Sequence, residues 1–256
     1  MNKGLKEKFL RLWQKYFPGA ELPIIFFYTD DEGRTKDCST ATEHRCVIAN
    51  LTTVWQGTPL RLEADSVECS GGKRYLGFSQ TLRPNFEYFL SYGIPGKLEG
   101  ERYKKSPELV KRMMKKRIEF NAPKKFIVFK RFDLLKESEN LDVVIFFAAP
   151  DTLAGLFTLA SYDEVESGVM TPFGAGCGSI VLYPYLENKS KKPRCILGMF
   201  DPSARPYVPA DVLSFAVPID KFTRMVDNIE ESFLITQTWA KIRQRIGEDR
   251  RRGLTL

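Results

Sequence analysis

A chain of 256 residues, 43% hydrophobic with nineteen Phe and ten Tyr, can bury a sizeable core and is not a disordered polymer. Its longest apolar runs, such as Val143-Val-Ile-Phe-Phe-Ala-Ala-Pro150, are too short to cross a bilayer, and the opening Met1-Asn-Lys-Gly-Leu-Lys-Glu-Lys8 has no apolar signal core, so a cytoplasmic protein off the membrane is expected. The net charge of +7 is concentrated: Arg102 to Arg131 holds twelve Lys or Arg against two acids, Glu108 and Glu119, and Arg250-Arg-Arg252 lies near the C-terminus.

In chain order, residues 3–17 predict an amphipathic helix, with Leu5, Phe9, Leu12, Trp13 and Tyr16 on the helical repeat and Pro18-Gly19 ending it. Leu22 to Tyr28 is a continuous apolar run and predicts a buried strand. Thr29 to Arg45 is polar and reads as a loop. Cys46 to Gln56 predicts a helix ended by Gly57, and Leu60-Arg-Leu-Glu-Ala64 alternates as a strand does. The chain then reaches Cys69-Ser-Gly-Gly72, a thiol set against two glycines. Ser106-Pro-Glu-Leu109 opens a further helix with a capping serine and proline at its first position.

The second half replays this order. Val143–Phe147 matches Pro23–Phe27 as an apolar strand, and Thr152–Glu166 predicts the helix that follows. A second glycine loop with a cysteine comes next, Phe173-Gly-Ala-Gly-Cys-Gly-Ser179. An internal repeat of a strand–helix–strand unit is therefore expected. A strand-like Val208–Val217 and C-terminal helices carrying Phe222, Met225, Val226, Ile229, Leu234, Ile235, Trp239 and Ile242 close the chain. The expected architecture is α/β or α+β. One domain would span 1–256, with halves at 20–100 and 125–220, a basic helical connector at 101–124 and terminal helices at 219–250.

Five cysteines, an odd count with no CxxC pair, argue against a disulfide framework. A thiol becomes useful when a helix N-terminus or a nearby cation lowers its pKa, and glycines let backbone N–H groups approach an anion. Cys69 has Lys73 and Arg74 close by, and Cys177 sits between Gly176 and Gly178. Each thiol taken singly is equally explained as a small buried residue. Cys46, Cys69 and Cys177 are also the candidate ligands for zinc or an iron–sulfur centre, although Cys38, His44 and Cys46 match no standard zinc spacing. Cys195 reads as a strand residue. His44 is the sole histidine, which excludes any scheme needing two. Glu101, in Gly100-Glu-Arg-Tyr103, is an acid–base candidate. Asp201 and Arg205 suit a local ion pair, or an Arg that grips a carboxylate or phosphate.

These pieces, in order, resemble a prokaryotic family known as domain of unknown function 169. The resemblance runs from about Phe9 to Pro218. It rests on Glu21-Leu-Pro23, Cys46 with its helix, Cys69–Gly72, Tyr75-Leu-Gly-Phe78, Gly100–Tyr103, Gly174–Cys177, Asp201 with Arg205, and Pro218. It implies no particular reaction and names no cofactor. The expected function is binding of a small anionic ligand or cofactor, with thiol chemistry, through Cys46, Cys69, Gly71, Gly72, Gly174, Gly176, Cys177, Gly178, Asp201 and Arg205. The alternatives are a metal or iron–sulfur redox protein on the same cysteines, and an interaction or nucleic-acid module using the 102–131 window. Whether the chain catalyses a reaction, and whether it forms a homo-oligomer, stays open at this level.

Overall fold

A computed structural model describes residues 3–40 and 46–251, with side chains described through 248. His44 and the basic cluster at Arg250 therefore lie outside the described residues or side chains. The N-terminal helix α1 (Lys3–Tyr16) buries Phe9, Leu12, Trp13 and Tyr16, the stripe that its spacing predicts. Strand β1 (Ile24–Thr29) follows, then helix α2 (Val47–Trp55), strand β2 (Leu60–Leu62) and the short helices α3 (Ser70–Tyr75) and α4 (Phe86–Phe89). Helix α5 (Pro107–Met114) is capped as expected, the Ser106 hydroxyl accepting the Leu109 N–H at 3.3 Å. The second half runs β3 (Phe126–Arg131), β4 (Val143–Ala148), α6 (Pro150–Ala160), β5 (Val169–Met170), α7 (Tyr183–Glu187), β6 (Cys195–Gly198), β7 (Leu213–Pro218), α8 (Ile219–Asn228) and α9 (Gln237–Arg251).

All seven strands form one sheet in the order β2-β3-β1-β4-β7-β6-β5, antiparallel except for the β5–β6 pair. The described chain is one mixed α/β domain. β1 and β4 lie side by side at the centre and are buried throughout apart from Tyr28, which is why both read as unbroken apolar runs rather than alternating ones. Successive side chains still take opposite faces. Ile25, Phe27, Val144 and Phe146 join α1, α6, α8 and α9 on the first face; Ile24, Phe26, Val143 and Ile145 join α2 and Leu76 after α3 on the second.

This division qualifies the expected repeat. The helix after β1 covers the second face, whereas the helix after β4 covers the first. A two-fold relation between antiparallel neighbours in a sheet would put both on one face, so the likeness of the two halves stops at element order. Both glycine-rich segments nevertheless lie on the second face. Neither remains a loop: Cys69 caps α3, and Gly176 starts a helix that runs through a π-turn at Gly178–Leu182 into α7. No described helix is long and apolar enough to cross a membrane.

Candidate functional site

The first turn of α2 is the surface on which both cysteine–glycine segments close. A Cβ on Gly72 would stand 2.9 Å from Cγ2 of Val47, and one on Gly176 would stand 3.5 Å from Cγ1 of Ile48. At Gly72 this leaves no room for a Cβ, whereas the Gly176–Ile48 separation is ordinary contact and the tighter neighbours of Gly176 are Ala204 and Met199, at 3.0 and 3.2 Å. Gly178 plays the same part against α3, where a Cβ would meet the Tyr75 ring at 2.9 Å. Gly174 backs onto the Tyr183 and Tyr75 hydroxyls, and Gly71 onto the Cys69 sulfur.

The packing brings three thiols together, each at the start of a helix. Cys46 is the N-cap of α2, and burial raises its pKa. The Ala49 and Ile48 N–H groups oppose that rise without closing a cap hydrogen bond. Cys69 is the N-cap of α3, its Sγ accepting the Gly72 N–H at 3.3 Å. Cys177 is buried, which pushes its thiol well up, and Cys46, Cys69 and Asp201 add to the rise because a charge on any of them reaches its sulfur. Cys46 feels Cys69 and Asp201 in turn. Cys69 and Cys177 thus lie within electrostatic reach of each other and of Cys46. Among the described residues no three His, Cys, Asp or Glu side chains stand as a metal-holding set.

Asp201 is buried and fixed by three donors. Its carboxylate accepts the Gly176 N–H at 3.0 Å, the Ser203 N–H at 3.0 Å and the Ser203 hydroxyl at 2.8 Å. The expected Asp201–Arg205 ion pair does not form. Arg205 instead donates to the carbonyls of Pro209, Ala210 and Val212, so its fork clamps the 209–212 segment and is not turned toward the thiols. Glu101 is exposed on the neighbouring loop. Tyr103 lies beside Ser203, Asp201 and Glu101; burial is the main cause that raises its pKa.

Several residues at this site were not read from the sequence. Met199 and Arg102 are two of the three non-glycine residues with positive φ among the described residues, at 69° and 56°, and each flanks the cluster: one precedes Phe200-Asp201, the other separates Glu101 from Tyr103. Such backbone costs about 1–3 kcal/mol and collects at working sites. The Met199 sulfur stands 3.2 Å from where a Gly176 Cβ would be. Phe173 and Phe200 remain more than half exposed at the rim, with the Lys104 ammonium 3.6 Å over the Phe173 ring. The Asp-Pro-Ser string at 201–203 did carry a signal, because Asp bonds the backbone two residues on in such turns.

A family model described as Uncharacterised ArCR, domain of unknown function 169, matches residues 21–228. The chain belongs to this family. Every residue that carried the resemblance from Glu21 to Pro218 lies inside the matched span of this domain-of-unknown-function-169 protein. None of the curated proteins and none of the solved structures matches it.

Proposed function

We propose that the chain binds a small ligand or cofactor where Cys46, Cys69 and Cys177 meet Asp201, and that a thiol bonds or ligates it. The observation that carries this reading is convergence: three sulfurs from three separate helix starts lie within electrostatic reach of one another, and those of Cys46 and Cys177 also of one fixed carboxylate. Cys69 is half-buried at the start of α3, close to Lys73 and Arg74, with its sulfur accepting the Gly72 N–H. Arg74, stacked on Tyr75, and Lys104, over Phe173, supply positive charge for an anionic group. Glu101 and Tyr103 would orient it. Arg205 acts through the loop that it clamps.

A second reading keeps a thiophilic metal or iron–sulfur centre on the same cysteines because thiolates suit such metals, although no described set of three such side chains stands ready to hold one. The nucleic-acid reading has less behind it. Six of the twelve cations between Arg102 and Arg131 are already paired: Lys111 with Glu87, Arg117 with Glu119, Lys124 with Asp30, Lys125 with Glu32, Lys130 with Glu139 and Arg131 with Asp133.

Purification without oxygen, followed by native mass spectrometry and elemental analysis, tests the first two. A bound mass present in the parent protein and absent from Cys69→Ser and Cys177→Ser is the expected outcome. Unchanged ligand content and thiol reactivity in both variants would overturn the site. Stoichiometric metal, or a visible absorption band lost in both variants, would replace the first reading by the second.

A further inference from the structure

A cavity of about 150 Å³ lies away from the cysteines. It opens at the end of β4, between the α1–β1 turn, the start of α6 and the segment before β7. That is about the volume of a cavity that takes benzene, so its enclosed part suits a small guest. Trp13, Phe146 and Ile246 give it apolar walls.

Its polar lining carries both signs. At the start of α6, Ala149 is the N-cap and has no side chain to close it, and Pro150 at the first helical position brings no N–H. The Asp151 and Thr152 N–H groups therefore have no partner within the helix, and such a terminus attracts anions. Thr152 is 4% exposed and lines the cavity, and its hydroxyl has no hydrogen-bond partner among the described residues. The hydroxyl oxygen is not sealed in the core and is open to a guest in the cavity. Glu21 and Asp211, both exposed, bring two carboxylates to the same lining. The third, Asp151, is neutralised by a two-pronged ion pair with Arg245.

A simple anion would meet Glu21 and Asp211, and a simple cation would meet the positive end of α6. A small molecule carrying both charges satisfies each. The geometry points to a binding site for a free amino acid with a short branched apolar side chain. Its carboxylate takes the Thr152 hydroxyl and the α6 N-terminus, its ammonium faces Glu21 and Asp211, and its side chain lies against Trp13, Phe146 and Ile246.

Calorimetric titration of the unaltered protein with L-leucine, isopentylamine and 4-methylpentanoate tests this without relying on a variant that folds. Leucine should bind at least about tenfold more tightly than either single-charge analogue. Thr152→Val, which removes only the hydroxyl, should weaken leucine by about tenfold, and Ala148→Leu, which fills the chamber, should abolish binding while the circular dichroism stays unchanged. Either analogue binding as tightly as leucine would overturn the proposal. So would the absence of leucine binding to the parent protein, or full binding to a folded Ala148→Leu variant.

Discussion

Asp142 shows what burial without a counter-charge does to a single residue. Its carboxylate accepts the Tyr28 N–H at 3.0 Å beside Tyr185, and its pKa is pushed up to about 6, by burial first and against the pull of that hydrogen bond. The folded state therefore holds this proton more tightly than the unfolded chain does. The resulting stabilisation is complete below about pH 4 and is lost as pH rises through about 6, which leaves a cost of roughly 2–3 kcal/mol at neutral pH. Asp142→Asn keeps an acceptor for Tyr28 and removes the charge. Thermal denaturation should show the variant more stable than the parent at pH 7.5 and the gap shrinking toward pH 5. The sequence held no hint of this, because Leu141-Asp-Val143 reads as the ordinary polar edge of a strand. Cys69 and Cys177 were legible, each marked by its glycines, whereas Met199 and Arg102 owe their backbone angles to distant packing.

Among the elements, α6 turns on a notch that its own sequence does not explain. A Cβ on Gly155 would stand 2.4 Å from Trp239 in α9 and 2.7 Å from Phe17, so the glycine makes room for two aromatic rings. Gly155→Ala gains up to about 1 kcal/mol in helix propensity. Overpacking should cost about 1–3 kcal/mol and win. A lower denaturant midpoint at unchanged slope is the expected result. Helix positions were read well where periodicity is local, as in α1 and α5. The π-turn after Cys177 was not, since one extra residue in a helical turn leaves no trace in apolar spacing. Glycine is a poor helix former, so the two cysteine–glycine stretches read as loops in the sequence, and the packing of Gly72, Gly176 and Gly178 overrides that preference.

On the scale of the molecule, the central strands and the α/β class were legible because β1 and β4 are buried on both faces. Which face each helix covers was not, since strand order and crossings depend on pairings such as Ile24 with Ile145 and Val143 with Pro218 that no local pattern encodes. The Arg205 clamp has a consequence at this scale. Asp201, at one end of its segment, holds Gly176 next to Cys177; Val212, at the other, lines the cavity. The three carbonyl bonds close the stretch between Arg205 and Val212 into a staple, with Asp201 just ahead of it and Val212 at its far end. Where a guest at Val212 moves Asp201 through this staple, reciprocity makes an occupant at Asp201 act on that guest by the same factor. Leucine should change the alkylation rate of Cys46 and Cys69, and Arg205→Lys, whose single ammonium cannot span three carbonyls, should leave leucine binding in place and sever that response. An unchanged rate in the parent protein under saturating leucine would show the staple to be slack.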